Sequence, residues 1–315
     1  MAVDVTVMVG GWDPSADPAT HPPSFLPLTP GLRCGLRIPG VPALAWDPVI
    51  ELVAGHLILC FIDYNEYRVQ ERAHPYCYRL LPGPARSQWR PAPAPPLTRF
   101  LAVSAVHAGR LLLVGGTKQL LHDGQFHLMS GTDTVQEYWP DTDSWSVSNI
   151  ALPAPLFEGC AVSTKAGLVV IGDFEAGQHN GYILVAGQSW QPLPLTLFHH
   201  SAPACAAVTL AGQPGVLVLS GQRVEFLQLA ARRWEALPGP VVRRSREVRP
   251  SLGVSLGRVV LAGGLDLDTG EPSSALEVWD EAGQEWGVDS SLPGARLRQT
   301  DISLPLQFLD NCDII

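Results

Sequence analysis

The sequence predicts an all-β fold: a six-bladed β-propeller of four-stranded antiparallel sheets, with the closing blade shared by the N- and C-termini. Three observations predict it. An apolar run ending at glycine recurs about every 50 residues. A tryptophan follows five of the six runs within one repeat length. Finally, 30 Gly and 29 Pro punctuate a chain that is 46% hydrophobic and only 16% charged. Turn formers scattered between apolar runs mark the joints of short strands, not a low-complexity tract.

The apolar run comes first. GRLLLVGG (109–116) returns as GRVVLAGG (257–264), 148 residues later. Related runs are VTVMVGG (5–11), LVVIGD (168–173) and VLVLSG (216–221), while LILCFI (57–62) keeps the apolar residues and loses the glycines. One residue from each terminal pair, at 10, 61, 115, 172, 221 and 263, marks intervals of 51, 54, 57, 49 and 42. The return from 263 through the C-terminus to 10 adds 62, so six blade-sized units fill all 315 residues. The pairs Gly10-Gly11, Gly115-Gly116 and Gly263-Gly264 let the strand end where a side chain would block a neighbour or force a strained backbone.

Downstream of five of the runs an alternating segment leads to a tryptophan, as in TVQEYWPDTDSW, ALEVWDEAGQEW and RVEFLQLAARRW, and in the closure blade Cys34 stands near that position. Tyr138 and Trp145 stand seven apart across a turn, and Trp279 and Trp286 repeat that distance. Alternation, turn and alternation describe an antiparallel meander. Each unit then has an inner strand a, the glycine-ended strand b, strand c, and strand d with its tryptophan, which supplies apolar area between blades. A Pro-containing exit usually follows. The Trp-Asp dipeptides at 12, 46 and 279 fall at different places in the unit and do not mark the period.

With its Gly-Gly, Tyr and Trp marks the chain resembles the kelch-repeat family over its whole length, most clearly in 99–150 and 246–292. The resemblance implies a single propeller over 1–315, with blades near 43–92, 97–148, 153–194, 200–238 and 246–292, and a closure blade from 297–315 plus 1–40. The chain begins on a strand b and ends on a segment like a strand a, RQTDISLPLQFL (298–309). Joining them in one blade removes the exposed sheet edge. Residues 24–39 would supply its strands c and d.

Charge excludes some partners. The net charge is −9 and no basic stripe exists beyond VVRRSREVR, which argues against nucleic acid. The best apolar stretch, LVAGHLILCFI, is too short to span a bilayer and contains a histidine. The start of the chain lacks the basic flank and long apolar stretch of a signal peptide. Compartment stays open between cytoplasmic and extracellular, and the expected particle is a monomeric ring.

Six cysteines stand at 34, 60, 77, 160, 205 and 312. None has the close spacing of a zinc or redox motif. Cys160 and Cys205 fall in apolar inner strands and read as buried thiols acting as small hydrophobes. Cys60 on strand b and Cys77 on strand c of the same blade are cross-strand neighbours, close enough for a disulfide. Cys34 and Cys312 belong to the closure blade and offer a second bridge.

In such a ring the b–c loops and the starts of strand a share one face. The loops at 63–75, 117–133, 173–180 and 265–274 would be displayed there, around a mouth lined by Arg99, His199, His200, Arg246, Arg249 and Arg298. Arginine grips a carboxylate with paired hydrogen bonds, so the expected guest is a protein or peptide carrying acidic groups. Of His122, His127, His179, His199 and His200 none shows paired spacing on a strand, and no metal or other cofactor is expected. DLDTGE (266–271) lacks the remaining oxygen positions of a calcium loop and reads as a hairpin tip.

No serine elbow, phosphate loop or zinc-protease helix is present, and the primary expectation is a non-enzymatic protein–protein interaction module. The resemblance implies two alternatives. One is a kelch-type enzyme acting on a sugar, oxidase-like or an epimerase, with Glu158 and Arg99 as the place to look. The other is the substrate-recognition part of a ubiquitin-ligase adaptor, whose BTB or F-box segment this chain lacks.

Overall fold

The computed structural model describes residues 4–9, 25–30, 32–36, 38–39, 45–63, 75–80, 88–122, 125–174, 181–246, 248–292, 300–305 and 309–314. Among them there is no helix, and so none long and apolar enough to cross a membrane. The chain opens with β1 (Asp4–Val9), β2 (Phe25–Pro27) and β3 (Leu32–Leu36). The first complete sheet is β4 (Ala45–Val53), β5 (His56–Asp63), β6 (Pro75–Leu80) and β7 (Arg90–Ala92). The second contains β8 (Val103–His107) and β9 (Arg110–Val114), then the separate hairpin β10 (Thr117–His122) and β11 (Gln125–Gly131), then β12 (Val135–Trp139) and β13 (Ser144–Val147). The third is β14 (Leu156–Thr164), β15 (Gly167–Phe174), β16 (Gly181–Leu184) and β17 (Trp190–Pro192). The fourth is β18 (Ala204–Leu210), β19 (Gln213–Ser220), β20 (Arg223–Gln228) and β21 (Arg233–Leu237). The fifth is β22 (Ser251–Ser255), β23 (Arg258–Ala262), β24 (Ala275–Asp280) and β25 (Glu285–Ser291). The C-terminal strands are β26 (Thr300–Pro305) and β27 (Leu309–Ile314).

The two ends of the chain meet in the sixth blade. β26 pairs antiparallel with β1 from Thr300↔Val9 to Pro305↔Asp4, and β1 pairs in turn with β2. β3 pairs with β27, so the last residues form a further strand that the sequence did not announce. The inserted hairpin also departs from expectation, because 117–133 reads as a display loop. Polar and apolar residues alternate in QFHL (125–128) after Asp123-Gly124, a common hairpin-turn dipeptide, and β10 and β11 pair from Thr117↔Gly131 to His122↔Gln125.

Ring closure follows from the packing. Among the described residues, apolar clusters join every pair of consecutive blades. Blades one and two share Ile58, Cys77, Leu111 and Tyr138, two and three share Val114, Leu152 and Val170, and three and four share Val169, Ile183, Val218 and Trp234. Blades four and five share Leu219, Phe226, Leu261 and Trp286. The closure blade meets blade five through Met8 and Val260 and blade one through Val5, Val7 and Leu59. Successive side chains of a strand point to opposite faces. In β15, Leu168 and Val170 therefore pack on blade two while Val169 and Ile171 pack on blade four. A strand b is buried on both faces, which is why it reads as an unbroken apolar run instead of an alternation.

The repeated marks have local causes. Gly116 sits at φ +81°, and a Cβ there would lie 2.6 Å from Phe100 O and 2.8 Å from Ala102 N. Its N–H donates to Leu156 O of the next blade at 3.0 Å, so the glycine end of strand b is a junction. Gly10 and Gly11 lie outside the described residues. The tryptophan and the Pro exit prove to be one device. Trp145 Nε1 donates to Pro93 O, Trp234 Nε1 to Pro194 O and Trp89 Nε1 to Pro39 O, each at 2.9 Å. In each case the strand-d tryptophan of one blade locks onto the exit of the blade before it.

Candidate functional site

The b–c connections and the starts of the inner strands lie together. Isolated bridges join Phe100 to Thr117, Thr132 to Leu156 and Arg244 to Asp266, and His199 Nε2 lies 3.6 Å from Asp173 Oδ1. Where the inner strands begin, they converge on a cavity of about 80 Å³ to which all six blades contribute. Its polar lining is Glu51 on β4, Ser104 on β8, Asp301 on β26 and Arg249 just before β22. The Cys160–Cys205 bridge completes the wall.

The charges in this cavity are held in place by neighbouring blades. Arg249 Nη1 crosses from blade five to donate to Gly159 O of blade three at 3.0 Å. Ser104 Oγ donates to Glu51 Oε1 at 2.9 Å, tying blade two to blade one. Asp301 accepts the backbone N–H of Leu252. Burial raises the Glu51 carboxyl to about 7, against the Ser104 hydrogen bond and helped by the charge of Asp301. Burial likewise raises Asp301 to about 6, with Arg249 and the Leu252 N–H pulling the other way. Two carboxyls thus titrate near neutrality beside a guanidinium.

The six residues expected at the mouth have different fates. Arg249 lines the cavity. Arg99 is half-buried, its Nη1 donates to Thr98 O at 2.9 Å, its Nε finds no acceptor among the described residues, and desolvation lowers its pKa. His199 is exposed beside Asp173, and Arg246 is exposed. Arg298 lies outside the described residues. His200 departs from the expectation: it is 1% exposed, and its Nε2 lies 2.8 Å from Glu225 Oε1 inside the fourth blade. Adjacent residues at 199 and 200 point opposite ways, and His200 points inward. Glu158, singled out for an acid/base role, does not line the cavity.

Sequence reasoning missed a repeated buried group. Gln136, Glu225 and Glu277 occupy the same register position on strand c, opposite Leu113, Val218 and Leu261. Each holds the backbone that leads into its own blade. Gln136 Oε1 accepts from Leu97 N at 2.8 Å. Glu225 accepts from Leu197 N and Phe198 N at 2.8 and 2.9 Å. Glu277 accepts from Val241 N at 2.5 Å. Glu277 also pairs with Arg244, the fifth blade's counterpart of His200. The signal was a polar residue early in strand c of VQEYW, VEFLQ and LEVWD, a place otherwise apolar.

The cysteines bring one agreement and one correction. Cys60 and Cys77 are register partners on β5 and β6 and form a disulfide with Cα atoms 4.1 Å apart. Cys160 and Cys205, expected as free buried thiols, instead form a disulfide between β14 and β18 of consecutive blades, Cα–Cα 5.8 Å. The two inner strands lie side by side around the channel, which brings residues 45 apart in sequence together. β3 and β27, which carry Cys34 and Cys312, are paired strands, while those side chains lie outside the described residues. Limited reduction should open Cys160–Cys205 first, because it fronts the cavity, whereas Cys60 and Cys77 are each 4% exposed within the interface of blades one and two. Alkylation followed by peptide mapping checks the order.

These features define the class: an all-β six-bladed propeller with a polar, mixed-charge mouth at its centre. Among solved structures, one described as "Structure of YjhT" is similar, with a TM-score of 0.63 and 15% identity over 84% of this chain and 88% of that one. At that identity the likeness shows the fold alone. No protein-family model and no curated protein sequence matches the chain. Among the described residues no group of three or more His, Cys, Asp or Glu is arranged to hold a metal ion.

Proposed function

We propose that this chain is a kelch-type, non-enzymatic binding module that holds a protein or peptide partner on the face carrying the b–c connections. The observation that supports this reading best is Arg99. Its guanidinium is half-buried, and its Nε has no acceptor among the described residues. Nε itself is sealed from solvent, so an acidic side chain of a partner would bond to the part of the Arg99 guanidinium that stays exposed, through a charge-assisted hydrogen bond. Exposed Arg246 and His199 widen the same rim, and a rigid ring pays little conformational entropy to present it.

The test is selection of displayed random peptides on the intact immobilised chain. Acidic sequences should be enriched, and Arg99→Gln together with Arg246→Gln should weaken the selected peptides several-fold. Unchanged affinity in that double variant overturns the reading.

One observation favours a second reading, an enzyme acting on a sugar. Glu51 and Asp301, with pKa values of about 7 and 6 beside Arg249, make an acid/base pair next to a cation. Following a panel of free sugars by NMR with catalytic amounts of the chain decides it. No acceleration of anomer exchange, epimerisation or oxidation removes this reading.

A further inference from the structure

The cavity holds opposite charges that do not meet. Arg249 faces the same space as Glu51 and Asp301, yet among the described residues no ion pair joins it to either, and its bond goes to Gly159 O. Among the described residues the remaining walls bring no other charge. β8 supplies Ser104, β14 and β18 supply the disulfide, and Pro48, Ala102 and Ala161 fill in between. A simple anion drawn to Arg249 would meet two carboxyls, and a simple cation drawn to the carboxyls would meet the guanidinium. A molecule carrying both charges satisfies each side and is penalised by neither.

Size narrows the guest further. At about 80 Å³ the cavity takes several waters or one small polar solute. We propose that the channel mouth binds a small free amino acid as its zwitterion, with the carboxylate on Arg249 and the ammonium on Asp301 and Glu51. Ser104, donating to Glu51 Oε1, fixes that carboxyl on the ammonium side. This site lies inside the rim assigned to a macromolecular partner and does not depend on that assignment.

The arrangement fixes a pH direction. The ammonium needs ionised carboxyls, and those of Glu51 and Asp301 ionise through about 7 and 6. Binding therefore strengthens as pH rises from 5 to 8. A plain anion site here would behave in the opposite way.

The experiment is calorimetric and saturation-transfer NMR titration of the intact chain with glycine, β-alanine and 4-aminobutyrate, with acetate and methylammonium as single-charge controls. At least one amino acid should bind saturably at pH 8 and weaken about ten-fold or more at pH 5, where roughly a tenth of a group of pKa near 6 stays ionised. Arg249→Gln should abolish binding, and Asp301→Asn should reduce it and move the pH profile to that of Glu51 alone. Single-charge ions binding as tightly as the amino acids, no saturable binding at pH 8, or a pH profile untouched by Asp301→Asn each overturns the proposal. If Arg249→Gln does not fold, the isosteric Asp301→Asn and Glu51→Gln profiles decide it alone.

Discussion

Glu277→Ala should destabilise the ring by about 3–5 kcal/mol, the usual loss when one partner of a buried ion pair is removed. The side chains of Glu277 and Arg244 are both fully buried. Arg244 Nη1 donates to Glu277 Oε1, and its Nε donates to Gly263 O at 2.9 Å. Glu277 meanwhile holds the segment leading into blade five through Val241 N. Alanine therefore strands a guanidinium whose pKa burial already lowers and which Glu277, more than Asp266, keeps charged. It also frees a backbone N–H. The informative control is the double variant Arg244→Met, Glu277→Met. Taking both charges away removes the desolvation cost with the attraction, so the double variant should lose clearly less than Glu277→Ala. Urea midpoints and slopes for the wild type, both single methionine variants, the double and Glu277→Ala settle the matter. A Glu277→Ala loss under about 1 kcal/mol would mean that the pair holds nothing its neighbours cannot replace.

The same pair shows where sequence reading stops. Period, blade order and ring closure were legible because glycine and tryptophan recur where the blade junctions favour them. A side chain at 116 would drive its Cβ into Phe100 O, and Trp89, Trp145 and Trp234 each reach a carbonyl of the preceding exit. The strand-b runs were legible because both faces are buried. What escaped was the partner of each inward polar group. Glu51 and Asp301 are acidic residues on largely apolar inner strands, and only the assembled ring shows that they face one channel and not bulk solvent. His199 and His200 were correctly expected to point opposite ways, but register alone decides which one enters the blade. The Cys160–Cys205 bridge joins two different sheets, so spacing within a blade gave no hint of it. The hairpin at 117–131 was a loop by position and a β-ribbon by alternation, and alternation decided the outcome.

Stability should fall as pH rises from about 4 to about 7, and the cause is the seam where the ring closes. Glu51 on β4 belongs to blade one and Asp301 on β26 to the closure blade, and both carboxyls have folded pKa values above their ordinary 4.5 and 3.8. A raised folded pKa means that the native state binds the proton more tightly than the unfolded chain. That contribution is complete below the unfolded pKa and disappears as pH climbs through the folded values of about 6 and 7. At about 1.4 kcal/mol per pKa unit, the pair is worth roughly 2–4 kcal/mol across this interval once partial solvent contact is allowed for. Comparison with a variant isolates the contribution of these two carboxyls. Glu51→Gln with Asp301→Asn keeps the oxygens that accept from Ser104 and Leu252 N and removes both ionisations. Wild type and double variant should melt together near pH 4, and the variant should melt several degrees higher at pH 8. The double variant removes the negative charges that hold the ammonium, so it should also lose the amino-acid site at pH 8 while gaining stability there. If the melting difference does not grow with pH, the two carboxyls are not confined as the channel geometry requires. If it grows without loss of amino-acid binding, the carboxyls are strained but the guest sits elsewhere.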